Sequence, residues 1–437
     1  MEIKGVSIDS RSIRAGELFV ALRGDRFDGH DFVPDAMKKG AWGALVERSA
    51  LEARFSSLGG LKNILPVEDT LFALQVMSHN HRMKFSIPVV GITGSNGKTT
   101  TKEMLAGILN QKGLVLKNEG NLNNHIGVPL TLMKLNARHQ SAAVEMGMSA
   151  PGEIDLLARL ASPTVGVITN IGPAHLEFLG SMEKVAEAKG ELLNNLPAHG
   201  TAVLNADDTY FEFLRNKVSG PTVSFGVKSK ADVSASQIRQ NAQHTEFTLT
   251  ACGAAADVCL RALGTHNISN ALAAAAAAIA AGMPLDAVKR GLDEFSPVAM
   301  RSEIRDVHGR TVLADYYNAN PASMDAAIRT LVSLSPGRTT IAVLGDMLEL
   351  GASAAEAHRQ IGRTAVQSGV AIVITLGTLA KHIGEGALQA GITKERVFAA
   401  QSHAEAARQL KNLSRPGDIV LIKGSRGMKM EKILEEF

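Results

Sequence analysis

Residues 89–105 read VVGITGSNGKTTTKEML. An apolar run leads into a turn carrying Gly94 and Gly97. Beyond the turn, Met104, Leu105, Ile108 and Leu109 recur on one face at helical spacing. This order of strand, glycine turn and helix narrows the fold more than any other stretch. A helix that opens directly after a buried strand points its unpaired N–H groups and positive dipole end at whatever sits in the turn, and glycines let an anion approach the backbone. The spacing departs from the standard phosphate loop, G-x-x-x-x-G-K-[ST]. The residue five before Gly97 is Ile92, while Gly94 lies three before it and Gly91 six before it. The working parts are nonetheless in place. Gly94, Ser95, Asn96 and Gly97 supply backbone amides, Lys98 a cation, and Thr99 or Thr100 a hydroxyl for Mg²⁺.

Around this loop the chain alternates. SAAVEM, TVGVIT and TAVLN are short apolar runs separated by helical stretches such as SMEKVAEAKGELLNNL. The alternation predicts a mainly parallel sheet flanked by helices. Residues 222–263 break the pattern and read as strands, before the alanine-rich helix of ALAAAAAAIAAGM. That segment is too short and too alanine-rich to span a bilayer. A second alternating set, TVLADYY, TTIAVLGD, VAIVITLG, RVFAA and GDIVLIKG, predicts an open, doubly wound Rossmann-like domain. The first 84 residues are shorter and mixed, with AGELFVALRG as a strand between turns. The expectation is an α/β protein of three domains: a small N-terminal α/β domain over 1–84, a central phosphate-loop domain over 85–297, and a C-terminal domain over 298–437. FSPVAMRSE is read as the linker into the last domain.

The 437 residues exceed one ordinary core, which agrees with several domains. A net charge of +3 suits an anionic small substrate, and with 4% aromatics and no dense basic run nothing points to nucleic acid. Cys252 and Cys259 are the only cysteines, giving neither a disulfide framework nor a four-ligand metal set. No stretch near the start has signal-peptide character, so a cytoplasmic protein without a membrane partner is expected.

Polar residues just after strands are the candidates for chemistry. Glu145 follows SAAV and is placed to hold Mg²⁺ facing a nucleotide. His175 lies beyond a Gly-Pro turn; a lone histidine is more often structural. Lys189, between Glu187 and Glu191, reads as part of a solvated helix face. Asn267 or Ser269 is a candidate cap for the alanine-rich helix. Asn320 and Pro321 begin another helix, with Asp315 ending the strand before it. Lys423 and Arg426 sit in a turn after the last long strand, either ready for an anion or simply closing the turn.

Taken in order, TGSNGKTT, NLNNHIGVP, EMG, NIGPAHLEFLG, AEAKGEL and HNISNALAA resemble the Mur ligases, ATP-dependent amide-bond ligases of peptidoglycan synthesis. The likeness spans nearly the whole chain and includes the compressed glycine spacing. It extends to DSRSIRAGELFVALRGDRFDGHDF, DYYNANPASM, LGDMLELG and KGSRGMKME. The resemblance implies joining of D-alanyl-D-alanine to UDP-N-acetylmuramoyl-tripeptide through an acyl phosphate, with ATP and two Mg²⁺ ions. It implies Glu145 and His175 as Mg²⁺ ligands and Lys189 as a carbamate carrier that also binds metal. It implies Asn267 near the adenine, and Arg301 and Asp315 reaching the nucleotide from the C-terminal domain. Ser10 and Arg11 would face the UDP part of the substrate. Asn318, Asp346, Lys423 and Arg426 would lie near the dipeptide or the acceptor peptide. A monomer is implied. Relatives carry a further strand and helix ahead of the DSR motif, which here begins at Asp9, so a trimmed or differently built N-terminal domain is expected. A guanine-nucleotide switch is disfavoured because no N-K-x-D motif is present, and a folate-type ligase because of the UDP-facing motif.

Overall fold

The computed structural model describes residues 3–51, 63–241, 243–297 and 300–437. The expected boundary at 297/298 and residues 298 and 299 of the FSPVAMRSE stretch therefore lie partly outside the described residues. Three sheets are present among the described residues. The first runs β1 (Val6–Ser7), β2 (Leu18–Val20), β3 (Gly43–Glu47) and β4 (Ile64–Val67) in that order, with every pair parallel. Of AGELFVALRG only the three buried residues of β2 form strand.

The central sheet has nine strands: β5 (Val89–Thr93), β6 (Val115–Lys117), β7 (Ser141–Glu145), β8 (Val165–Ile168), β9 (Thr201–Asn205), β10 (Thr222–Gly226), β11 (Val233–Gln240), β12 (Thr245–Ala251) and β13 (Ala254–Leu260). Their order is β13-β12-β11-β10-β9-β8-β5-β7-β6. The strands from β6 through β11 pair in parallel, and β12 and β13 add an antiparallel edge. The chain order reverses beside β5, which lies between β7 and β8. A crevice opens at such a point, beyond the carboxyl ends of the strands.

All five residues of β5 are buried, as expected of a strand covered on both faces. One face is covered by the helix Lys98–Asn110, which buries Met104, Leu105 and Ile108 completely. Each such side chain contributes about 1.5–3 kcal/mol through burial. Beside it, over β8 to β11, packs the alanine-rich helix Thr265–Ala280, where Ala271 and Ala273 through Ala278 are inaccessible. Side chains this small let the two helices and the sheet approach closely at crystal-like density. Among the described residues no helix is long and apolar enough to cross a membrane.

The third sheet comprises β14 (Glu303–Val307), β15 (Arg310–Ala314), β16 (Thr340–Gly345), β17 (Ile372–Leu376), β18 (Val397–Ala400) and β19 (Ile419–Lys423), ordered β14-β15-β19-β16-β17-β18. All pairs are parallel except the β14–β15 hairpin. The sequence reading ran its linker into this hairpin. Glu-Ile-Arg-Asp-Val alternates as an edge strand should, but its charges hide the pattern.

Candidate active site

The turn after β5 is built by close approach. Gly94 has φ +148° and Gly97 has φ +80°, and a Cβ would lie 1.9 Å from Thr169 Oγ1 at the first and 2.0 Å from Asn270 Oδ1 at the second. Only glycine fits both the left-handed backbone and the contact. Asn170, just beyond β8, clamps the loop from the other side. Its carbonyl accepts from Ser95 N at 2.9 Å, its Oδ1 from Asn96 N at 3.0 Å, and its Nδ2 donates to the Asn96 carbonyl at 3.0 Å. Gly97 caps the helix Lys98–Asn110 without a side-chain hydrogen bond, so the first-turn amides face the crevice. Lys98 Nζ folds back onto the Gly94 carbonyl at 2.8 Å, which places an ammonium over the loop.

Glu145 ends β7 and is 3% exposed. Its Oε2 accepts from Thr99 Oγ1 at 2.8 Å and its Oε1 from Asn123 Nδ2 at 2.9 Å. Beneath it the buried Lys102 Nζ lies 3.8 Å away, held by the Asn118 carbonyl at 2.7 Å and by Glu103 at 3.1 Å. Asn118 Oδ1 in turn accepts from Glu145 N at 2.9 Å. The carboxylate is thus fixed beside a loop hydroxyl. Two hard oxygen donors facing a phosphate cradle suit Mg²⁺.

His175 stands at φ +57° with its ring towards the same space. Its Nδ1 is buried and has no hydrogen bond among the described residues, although Glu349 Oε2 approaches to 2.8 Å. Burial pushes the imidazole below its usual range, the charges of Lys189 and Lys98 push the same way, and Glu349 opposes them. A ring pushed towards its neutral form at the edge of this cavity is fit to ligate a metal once the Glu349 contact opens.

Lys189 contradicts the solvated-face reading drawn from the residues alone. It is 1% exposed. The helix Met182–Asn194 turns Val185, Lys189 and Leu192 inward together while Glu187 stays outside. Burial, then the nearby Lys98 charge, push its amine well below the usual lysine range. The apolar spacing four before and three after Lys189 was the available signal; flanking glutamates outweighed it. Lys189 does not line the cavity surface, but its charge acts on His175.

The loop, Glu145, Asn170 and His175 line one side of a cavity of about 710 Å³. Asn267, Asn270 and His266 close its end. The capping expectation for Asn267 and Ser269 fails. The helix starts earlier, at Gly264 with φ +88°, and no side chain caps it. Asn267 Nδ2 instead donates to the Leu263 carbonyl at 2.8 Å, and its Oδ1 accepts from Asn270 at 3.1 Å.

The C-terminal domain supplies the opposite wall through Arg301, Asp315, Tyr317, Asn318, Asn320 and Lys423. The Arg301 guanidinium lies 3.9 Å over the Tyr317 ring. Lys423 Nζ is held by Asp315 Oδ2 at 2.7 Å and the Asn318 carbonyl at 2.9 Å. Asn320 caps its helix with a reciprocal capping box, as the sequence indicated, and also reaches across the domains to Asn96 Oδ1 at 2.7 Å. Burial, with Arg301 as a further contributor, pushes Lys98 down, and Glu145 opposes this. The cavity is rich in cations and gathers anions.

Besides Lys189, four expected residues stand apart from this cavity. Ser10 is buried and Arg11 pairs with Asp9 at 2.8 Å in the N-terminal domain. Asp346 is buried, with Oδ1 accepting from the Leu379 and Ala380 amides at 3.0 and 2.6 Å. Arg426 pairs with Glu431 at 2.7 Å. Asn123 and Asn170 were not singled out as site residues from the sequence, and Asn270 was placed only at the start of the alanine-rich helix. Asn170 carried the same strand-end signal as Glu145.

Family comparison accounts for all three sheets. A model of the Mur ligase middle domain matches residues 92–278, one of the Mur ligase glutamate ligase domain matches 300–426, and one of the Mur ligase family catalytic domain matches 2–82. The UDP-N-acetylmuramoyl-tripeptide--D-alanyl-D-alanine ligase of Bacillus subtilis (strain 168) is 38% identical over 435 residues, covering 99% of this chain and 93% of that protein. The crystal structure of MurF from Acinetobacter baumannii superposes with a TM-score of 0.90 at 34% identity, over 100% of this chain and 93% of that one. MurF ligase from Thermotoga maritima, in complex with ADP, gives a TM-score of 0.87 at 29% identity, over 100% of this chain and 97% of that one.

Proposed function

This chain belongs to the Mur ligase family, and from that premise we propose that it joins D-alanyl-D-alanine to UDP-N-acetylmuramoyl-tripeptide, consuming ATP and releasing ADP and phosphate, in peptidoglycan synthesis. The observation that carries this reading is one cavity in which a phosphate loop, a strand-end carboxylate and a histidine meet a cationic wall from a second domain.

ATP lies with its phosphates on the amides around Gly97 and under Lys98, and its adenine towards Asn267. Arg301 and Asp315 reach it from the C-terminal domain. Thr99 and Glu145 would hold one Mg²⁺, and His175 with a carbamylated Lys189 would hold a second. Magnesium held there would supply charge that screens the phosphate oxygens and lowers repulsion between the two reacting anions. A depressed amine is the form that captures CO₂: its lone pair forms the N–C bond, a C=O electron pair moves to oxygen, and the lost proton goes to solvent. The tripeptide's terminal carboxylate attacks the γ-phosphorus, and the bond to ADP breaks. Lys98 and the loop amides hold the charge spread over the transferring group. The dipeptide ammonium loses a proton to solvent, its lone pair attacks the acyl carbon to form the C–N bond, the C–O bond to phosphate breaks so that phosphate leaves with the carboxylate oxygen, and the second proton on nitrogen passes to solvent. The Asn320–Asn96 bond and the Glu349–His175 approach cross between the domains, and such closure keeps water from the acyl phosphate.

In this reading residues 1–84 hold the UDP moiety through Ser10 and Arg11, residues 85–297 hold ATP, and residues 298–437 present the dipeptide, with Asn318, Asp346, Lys423 and Arg426 shaping that region. The protein acts as a cytoplasmic monomer on small molecules. The test is phosphate release with ATP and UDP-N-acetylmuramoyl-tripeptide, with and without D-Ala-D-Ala. Release that depends on the dipeptide supports the assignment, and turnover indifferent to it overturns the assignment.

A further inference from the structure

Glu349 lies in the loop after β16, within LGDMLELG, and so far serves only as a contact between the domains. The loop is held from several directions. Met347 N donates to His358 Nε2 at 2.9 Å, Leu348 N to Ser425 Oγ at 2.9 Å, and the Asp346 carbonyl accepts from Ser425 N at 3.0 Å. The Asp346 carboxylate fastens the same loop to the Leu379 and Ala380 amides. Glu349 is its tip, in the left-handed region at φ +63°, a conformation that costs a non-glycine residue on the order of 1 kcal/mol. From there it crosses to the central domain, placing Oε2 2.8 Å from His175 Nδ1, while its side chain stays 51% exposed.

The other carboxylates around the cavity are already engaged. Glu145 is taken by Thr99 and Asn123, Asp315 by Lys423 and the Ser302 amide, and Glu153 by the Ser149 and Ala150 amides. Lys98, Lys189, Arg301 and Lys423 make the surroundings cationic. An incoming amine terminus is mostly protonated near neutral pH. It must enter this cationic space beside the residues that handle the acyl phosphate, and it needs an anion there.

We propose that Glu349 is the docking group for the cationic amine of the incoming peptide, holding it beside His175 where the acyl group is presented. This rests on the ligase reading above. The rigid loop fixes the amine's position, and the half-exposed carboxylate leaves it a way in from solvent.

The test is Glu349→Gln, which keeps the shape and removes the charge. The KM for D-Ala-D-Ala rises about 10- to 100-fold, the range for losing a hydrogen bond between charged groups. In the same preparation, trapping of the acyl phosphate by hydroxylamine, an uncharged nucleophile at neutral pH, proceeds at the wild-type rate, which also shows that the variant is folded. The Mg²⁺ concentration for half-maximal hydroxamate formation is unchanged, and Glu349→Asp recovers part of the dipeptide affinity. An equal loss with hydroxylamine, or a shifted Mg²⁺ requirement, would overturn the proposal and make Glu349 part of the metal or phosphoryl site. Wild-type protein forming no hydroxamate from ATP and tripeptide would overturn the ligase reading itself, and the docking role with it.

Discussion

Replacing Gly97 by alanine tests how tightly the phosphate loop is built. The new Cβ would stand 2.0 Å from Asn270 Oδ1, on a backbone with φ +80°. The left-handed conformation alone costs alanine about 1 kcal/mol. Asn270 must also move, and it is buried, with Nδ2 on Asn267 Oδ1 at 3.1 Å. Losing that bond and stranding a buried amide adds about 1–3 kcal/mol. The expected total is roughly 2–4 kcal/mol. Gly253→Ala provides the comparison. Gly253 has φ +75° at the β12–β13 turn, but nothing lies within 4 Å of its Cβ position, so only the backbone cost of about 1 kcal/mol remains. Urea unfolding of both variants separates the two contributions, and calorimetric titration with ADP reads the loop. Gly97→Ala is expected to weaken ADP at least tenfold and Gly253→Ala to leave it unchanged. If the two variants lose equal stability and bind ADP alike, the loop is not shaped against Asn270 as described.

Three further outcomes follow from the site. Lys189→Met removes turnover yet raises resistance to urea in CO₂-free buffer by about 1–3 kcal/mol, because a buried amine is replaced by an apolar chain. The gain narrows as pH rises: the folded-state pKa lies below the unfolded one, so the native lysine regains stability as pH climbs through that window; a constant gap across pH contradicts this. Glu145→Gln raises the Mg²⁺ needed for half-maximal phosphate release at least about tenfold, and an unchanged requirement removes Glu145 from the metal site. Asn320→Ala loses the capping box and the bond to Asn96, costing the C-terminal domain about 1 kcal/mol in urea unfolding; no measurable change there would show the cap to be dispensable.

What the sequence disclosed depended on how local the information was. The loop was legible because strand, turn and helix are consecutive, and each carries its own periodicity and turn chemistry. The doubly wound C-terminal sheet was legible for the same reason, through its apolar runs. Lys189 was misread because its charge and its glutamate neighbours argued for solvent, whereas Val185 and Leu192 set the facing of the helix. The carbamate role came only from family resemblance. Asn267 was misread as a cap because the start of its helix is fixed by Gly264 and by packing against other elements. The clamps from Asn170 and Asn270 join residues more than seventy positions apart from the loop they hold, so no window of sequence contains both ends. β14 was lost to its charges, which an edge strand tolerates.

The central claim is that the phosphate loop serves to activate a peptide carboxylate. UDP-N-acetylmuramoyl-tripeptide carrying ¹⁸O in its terminal carboxylate, turned over with ATP and D-Ala-D-Ala, tests this directly. The account requires one labelled oxygen in each phosphate released, because the carboxylate oxygen that attacks phosphorus leaves with it. Phosphate free of label would show that ATP is cleaved without an acyl phosphate, and would contradict the mechanism.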